Sequence, residues 1–360
     1  MGVAMMPATL AAKDATWPRY ERAIVIEGLG GPGSLATESG LALTDAEVAD
    51  VMASGLTCMH MTVGDVGTMP GDEAFAKAVA SIARWEAEID RNPAVFSRVR
   101  SVADIKTAKT QRKVGLAYGF QDGVSFETDL TRLDVFHRLG IRVIQPTYNR
   151  RNLLGDGCME PANAGLSRAG HEAIERMNAL GILVDLSHCG RATAADAIRI
   201  SRRPVAFTHT GCAAVADHPR NRTDAELRAV AAMGGVAGIY VMPYLAGGKQ
   251  PTAADVIRHL EHAIEVAGED HVSIGTDGNL SAVELNPQYV KDFAANVQKR
   301  RAAGIGATLE FEDGYLFASD LNTPRRFERL AELLSARGHA DGRIEKILGG
   351  NLLRLFAAAW

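Results

Sequence analysis

Two histidines close short apolar runs in this chain, Ile182-Leu-Val-Asp-Leu-Ser-His188 and Pro204-Val-Ala-Phe-Thr-His209. Each run has the length and the β-branched or aromatic content of a buried strand. A segment of helical period lies between them. Parallel strands joined in this way bring both imidazoles to the C-terminal edge of one sheet, where α/β enzymes bind their ligands. Neutral imidazole is the commonest protein ligand for a catalytic transition metal. A lone histidine at a strand end is more often a hydrogen-bonded structural residue. Two at equivalent positions of successive repeats point to a site.

The elements that must hold such a site repeat along the chain. Strand patterns fall at 23–27, 57–63, 114–120, 143–147, 182–186, 205–208, 235–241 and 272–275. Helical periods fall at 45–53, 73–90, 130–139, 168–180, 192–200, 224–232 and 253–266, with two more at 325–336 and 341–359. This alternation predicts an α/β fold, a (β/α)8 TIM-type barrel, in preference to an open doubly wound sheet. Residues 1–22 read as an N-terminal arm and 23–360 as a single barrel domain. Long loops follow the fourth strand (149–167) and the eighth (278–322), and both rise over the C-terminal rim. The first suits substrate contact, with Asn149 at its start. The second is an insertion that suits a lid, an oligomer contact or neither.

Composition narrows the partners. A formal net charge of -4 argues against nucleic acid or an anionic membrane surface. No run approaches the roughly 18 apolar residues of a membrane span, and residues 1–12 lack the basic start of a signal peptide. The four cysteines, Cys58, Cys158, Cys189 and Cys212, have no framework spacing and read as reduced thiols of a cytoplasmic protein. Cys189 and Cys212 lie close to the histidines in sequence, but small packing residues are the favoured reading.

Beyond His209, the polar loop 216–224 carries Arg220 and Asn221. An arginine on this rim is suited to a substrate carboxylate, or is one of many surface arginines. Thr223 or Asp224 can cap the helix that follows. The eighth strand ends in Ile274-Gly-Thr-Asp277-Gly278, where a carboxylate serves as metal ligand, general base or turn cap.

The set Val184-Asp-Leu-Ser-His188, Phe207-Thr-His209-Thr, Arg220-Asn221, Gly275-Thr-Asp277 and Gly349-Gly-Asn-Leu-Leu-Arg-Leu-Phe356 resembles the membrane dipeptidase (renal dipeptidase-like) family, over about residues 24–356. The resemblance implies a (β/α)8 barrel whose two-zinc site hydrolyses dipeptides. It implies His188 and His209 as ligands of one zinc, Asp277 as ligand or proton acceptor on the other side, and Arg220 as holder of the substrate carboxylate, beside Asn221. Relatives commonly dimerise, so a homodimer is among the expectations.

The departures carry equal weight. Leu29 and Gly31 stand where the resemblance expects a metal-binding His-x-Asp pair. Gln121 replaces the bridging glutamate, and an amide bridges two dications far less well than a carboxylate. Tyr148 replaces a histidine that polarises the scissile carbonyl. Three ligands suffice for one tetrahedral metal but not for two. The expectation is therefore one zinc on His188, His209 and Asp277, with His60, Asp122 and Glu27 as further candidate ligands and a metal-free site as the remaining case. Tyr148 and Gln121 would donate to the oxyanion. The leading function is a metal-dependent hydrolase of a dipeptide or similar small carboxylated amide. The alternative is a same-fold enzyme with one or no metal acting on another small carboxylated metabolite. A non-catalytic binding protein comes third, because it would have no need of both imidazoles.

Overall fold

Short runs buried on both faces make the strands, as expected of a parallel sheet wrapped by helices. All seven residues of 114–120 and all five of 206–210 are buried. The computed structural model describes residues 17–34, 40, 42–67, 69–308, 310 and 315–360. In chain order its strands are β1 (Ile26–Glu27), β2 (Gly30–Gly31), β3 (Cys58–Thr62), β4 (Phe96–Val99), β5 (Val114–Phe120), β6 (Ile141–Ile144), β7 (Leu183–Val184), β8 (Ala206–Thr210), β9 (Val236–Ile239), β10 (Val272–Ile274) and β11 (Gly278–Asn279).

These strands close into a ring. One path runs β1-β3-β5-β6-β7 and a second runs β8-β9-β10. A parallel bridge between Asp185 and Ala206 joins β7 to β8, and Gly28 N–H donates to Ile274 O at 3.0 Å to join β10 to β1. The result is a (β/α)8 barrel, and each of its eight ring strands overlaps one expected from the sequence. Strand β4 was not expected. It pairs with Val114–Ala117 of β5, on the edge that β6 takes over at Tyr118. Four residues with the two central ones only half-buried give too little pattern to read.

The helices pack apolar stripes onto the ring, as Val256, Ile257, Leu260 and Ala263 do in the Ala253–Ala267 helix. Thr223, rather than Asp224, caps the Asp224–Ala232 helix, in a reciprocal box with Glu226. Two helices were missed, Val102–Gln111 and Pro287–Ala302. The second corrects the reading of 278–322 as a long loop. Only Phe293 and Val297 of its sixteen residues are buried, too sparse a stripe for the sequence to announce.

Residues 1–16 of the expected arm lie outside the described residues. The rest of it is part of the barrel: Trp17 is buried and donates to Asp341 Oδ1 at 2.9 Å, and Tyr20 donates to Ser54 O at 2.7 Å. The C-terminal Gly349-Gly-Asn motif is structural. A Cβ on Gly349 would stand 2.4 Å from Ile24 O, and Asn351 Nδ2 donates to the carbonyls of Glu269 and Val272. The motif clasps the ring from below, opposite the histidines.

Glu27 locks the seam above. Its carboxylate accepts from Thr276 N–H (2.7 Å), Thr276 Oγ1 (2.6 Å) and Leu29 N–H (3.3 Å). Burial nevertheless pushes its pKa up to about 7 from an ordinary 4.5, against those donors. The folded state therefore binds this proton more tightly than the unfolded chain, so its stabilisation is full below about 4.5 and is lost as pH rises to about 7. Urea titrations of wild type and Glu27→Gln should diverge by about 3 kcal/mol across that window, with wild type losing ground as pH rises. A parallel pH dependence in the two proteins would contradict this reading.

Candidate metal centre

Three ring strands deliver the site. His188 follows β7, His209 lies in β8, and Asp277 follows β10. One ligand atom from each lies within 4.8 Å of the other two. The imidazole rings of His188 and His209 are 5.0 Å apart between centroids. Asp277 holds its carboxylate there from a left-handed backbone, φ +57°, a conformation that Asp tolerates better than most residues. The turn is fixed by Asp277 N–H donating to Leu29 O at 2.8 Å. Leu29, in the place of an expected histidine, thus contributes through its backbone.

Hydrogen bonds fix each imidazole in one tautomer. Asn149 donates through Nδ2 to Ile305 O at 2.8 Å, which leaves Oδ1 to accept from His188 Nδ1 at 2.7 Å. Thr208 gives its only hydroxyl proton to Asp185 Oδ2 at 2.5 Å, so its oxygen accepts from His209 Nδ1 at 2.9 Å. In both rings the proton sits on Nδ1, and Nε2 presents a bare lone pair with no partner in a buried position. Burial, with Arg220 next, holds both imidazoles well below their ordinary pKa, hence neutral. Orphaned, neutral and convergent nitrogens beside a carboxylate are what a divalent cation requires. The donor set fits one.

The remaining expected ligands lie elsewhere. Glu27 is committed to the seam. Asp122 accepts from Gly67 N–H, Asn152 Nδ2 and Val124 N–H, and organises a loop. His60 is buried with Nδ1 on Gly28 O at 2.7 Å and a bare Nε2. A charge on it would act on His209, but it stands outside the triangle. Gly119 makes room for it, since a Cβ there would be 2.2 Å from His60 Nε2. Among the described residues this triangle is the one cluster that meets the geometry for an ion.

The expected substrate contacts divide. Arg220 is not a surface arginine: it is 1% exposed, bonds Ser187 O through one terminal nitrogen and leaves Nη2 without a partner. Asn221 instead holds the loop, donating to Ala216 O and Tyr244 O and accepting from Tyr240 Oη. Asn149 orients His188. Tyr148 stacks on His188 with centroids 4.0 Å apart. Gln121 hydrogen-bonds to Asp277, whose pKa burial raises to about 6 while Arg220 and Arg300 oppose the rise. Cys189 and Cys212 are packing residues, with thiol pKa values that burial raises to about 12.

Sequence reading missed Asp185, Thr208 and Arg300. Asp185 did leave a signal, an acid inside an apolar strand, which is costly unless fully hydrogen-bonded. It accepts from Ser187 N–H and Oγ and from Thr208 N–H and Oγ1. Arg300 left none, because it sits on the unread 287–302 helix. It donates to Tyr148 Oη at 3.1 Å and to Glu310 Oε1 at 3.1 Å. Residues 300–308 and Glu310 are tied over the rim by Asn149 to Ile305 O, His218 to Thr308 O (2.8 Å) and Tyr244 Oη to Glu310 (3.2 Å). The insertion therefore covers the site, and an 810 Å³ cavity opens between it and Tyr148.

A model of the family described as membrane dipeptidase (peptidase family M19) matches residues 39–300. Dipeptidase verJ of Clonostachys rogersoniana is 33% identical over 221 residues, 61% of this chain and 48% of that protein, so the match spans about half of its length. An amidohydrolase from Pseudomonas aeruginosa superposes with a TM-score of 0.81 at 31% identity, covering 95% of this chain and 98% of that one. A metallopeptidase from Rhodobacter sphaeroides, liganded with a phosphinate mimic of the dipeptide L-Ala-D-Ala, shares the fold at a TM-score of 0.75 and 19% identity, over 94% and 100% of the two chains.

Proposed function

The chain belongs to the membrane dipeptidase family, and from that premise we propose that it is a hydrolase of small carboxylated amides working with one divalent cation, zinc before others. The observation that carries the proposal is the pair of bare, buried Nε2 atoms meeting the Asp277 carboxylate. His188, His209 and Asp277 would hold the ion. In such a place zinc supplies Lewis acidity to a carbonyl and acidifies a water toward neutral pH.

The chain's own groups do the rest. Arg220 Nη2, buried and without a partner, would receive the substrate carboxylate. Tyr148 Oη accepts from Arg300, so its own proton is free to donate to the oxyanion that develops on the carbonyl. Asp277 would take the proton of the attacking water and return it to the leaving amine. Gln121 steadies Asp277. The four unpaired cysteines suit a reducing, cytoplasmic setting. No helix among the described residues is long and apolar enough to cross a membrane.

Elemental analysis after zinc loading and desalting should find one equivalent per chain. Two equivalents would mean that His60 or another group rebuilds a second site. None would refute the metal-dependent reading and favour other chemistry on a small carboxylate.

A further inference from the structure

We infer that the substrate of this site is an N-acyl amino acid with no free amine on its acyl side, rather than a dipeptide. This rests on the proposed hydrolase reading and narrows it.

The argument is an inventory of charge. A dipeptide brings an ammonium group close to its scissile bond, and an ammonium taken out of water needs a carboxylate or a full set of acceptors. The acids around the site are already committed. Asp277 belongs to the ligand triangle and bonds Gln121. Asp185 accepts four hydrogen bonds, Glu27 three and Asp122 three. Glu310 is bound by Arg300, Tyr244 Oη and Ala307 N–H. What faces the site uncommitted is cationic or neutral: Arg220 Nη2 without a partner, and the Tyr148 hydroxyl proton. Such a surface receives one carboxylate well and repels an ammonium.

The space beyond Tyr148 agrees. Its 810 Å³ are walled by Met69, Val124, Leu154 and Ile305 among others, within the range that holds a drug-sized ligand. Three acids stand on that wall with the cations Arg150 and Arg151: Asp122 and Glu160 accept hydrogen bonds, and Glu127 lies against Gly71, the first residue of the Gly71–Arg91 helix, whose N-terminal dipole favours a carboxylate. An acyl chain fits this chamber. Hydrolysis adds the water oxygen to the acyl carbon and breaks its bond to nitrogen. The amino acid leaves with the proton taken from water, and the other product is a carboxylic acid.

The test pairs two isosteres on the zinc-loaded protein, propionyl-alanine and glycyl-alanine, in both alanine enantiomers. They differ only by a methyl in place of the ammonium. Propionyl-alanine is expected to have the higher kcat/KM by about a hundredfold, the scale of burying one charge without a partner. It should also be the one that raises the melting temperature of the protein when turnover is blocked by withholding zinc. Equal or better use of glycyl-alanine overturns the inference and leaves the hydrolase reading standing. Tighter binding of propionyl-alanine without turnover of either supports the ligand class and sinks the hydrolase reading. Failure of both to bind removes both. Arg300→Gln supplies a second arm, because it removes the cation that neutralises the Glu310 carboxylate. The preference should narrow in that variant, and an unchanged ratio counts against the charge argument.

Discussion

His188→Ala is expected to reduce bound zinc from one equivalent to well below one and to lower kcat/KM by about a thousandfold or more, while the protein stays folded. A thousandfold is about 4 kcal/mol, the several kcal/mol that a Lewis acid contributes to a developing oxyanion. The fold should survive for a local reason. Nε2 of His188 bonds nothing in the protein, and its Nδ1 partner, Asn149 Oδ1, keeps the Cys158 thiol as a second donor. What the barrel loses is a ring stacked on Tyr148. Asn149→Ala is the graded control. It leaves all three ligands in place but frees the ring to turn, and zinc affinity should fall only about 10- to 100-fold, as when an orienting partner is removed. Calorimetric zinc titration and circular dichroism on both variants check the pair. Unchanged turnover in His188→Ala would remove the site assignment altogether.

The half of the centre that the sequence announced is the half built on regular strands. Ile182–His188 and Pro204–His209 are apolar runs closed by a ligand, and the barrel dictates where such ends point. Asp277 was readable for the same reason, as the acid after the last ring strand. Glu27 and Asp122 stood as further candidate ligands because a carboxylate in the right strand looks alike whether its neighbours are donors or an ion. Only the positions of Thr276 N–H and Gly67 N–H tell them apart, and these come from distant parts of the chain. Asn149 and Asn221 show the same limit. Their amides face His188 and the 216–244 loops, not the open site, and spacing carries no record of which way an amide turns. Arg300 was invisible for a different reason. Its helix buries only Phe293 and Val297, so nothing marked it as covering the rim until Tyr148 and Glu310 were seen beneath it.

Arg220→Ala should raise KM for a carboxylated substrate by about 30- to 1,000-fold with a smaller effect on kcat, the roughly 2–4 kcal/mol of a buried charge-assisted pair. The geometry argues for binding rather than scaffolding. Arg222, two residues on, already satisfies the 186–189 turn with bonds from Nη2 to the carbonyls of Leu186, Ser187 and Cys189. The second bond to Ser187 O from Arg220 is therefore dispensable, and that side chain is free to serve a ligand through Nη2. Arg220→Lys should recover little, since one ammonium cannot both reach Ser187 O and clasp a carboxylate with two parallel bonds. A substrate amidated at its carboxylate gives the complementary measurement. If Arg220 acts as argued, wild type and Arg220→Ala should treat that amide alike, because the group they differ over is gone. A variant that is equally impaired on both substrates would show Arg220 to be a support for the loop and leave the carboxylate without its receiver.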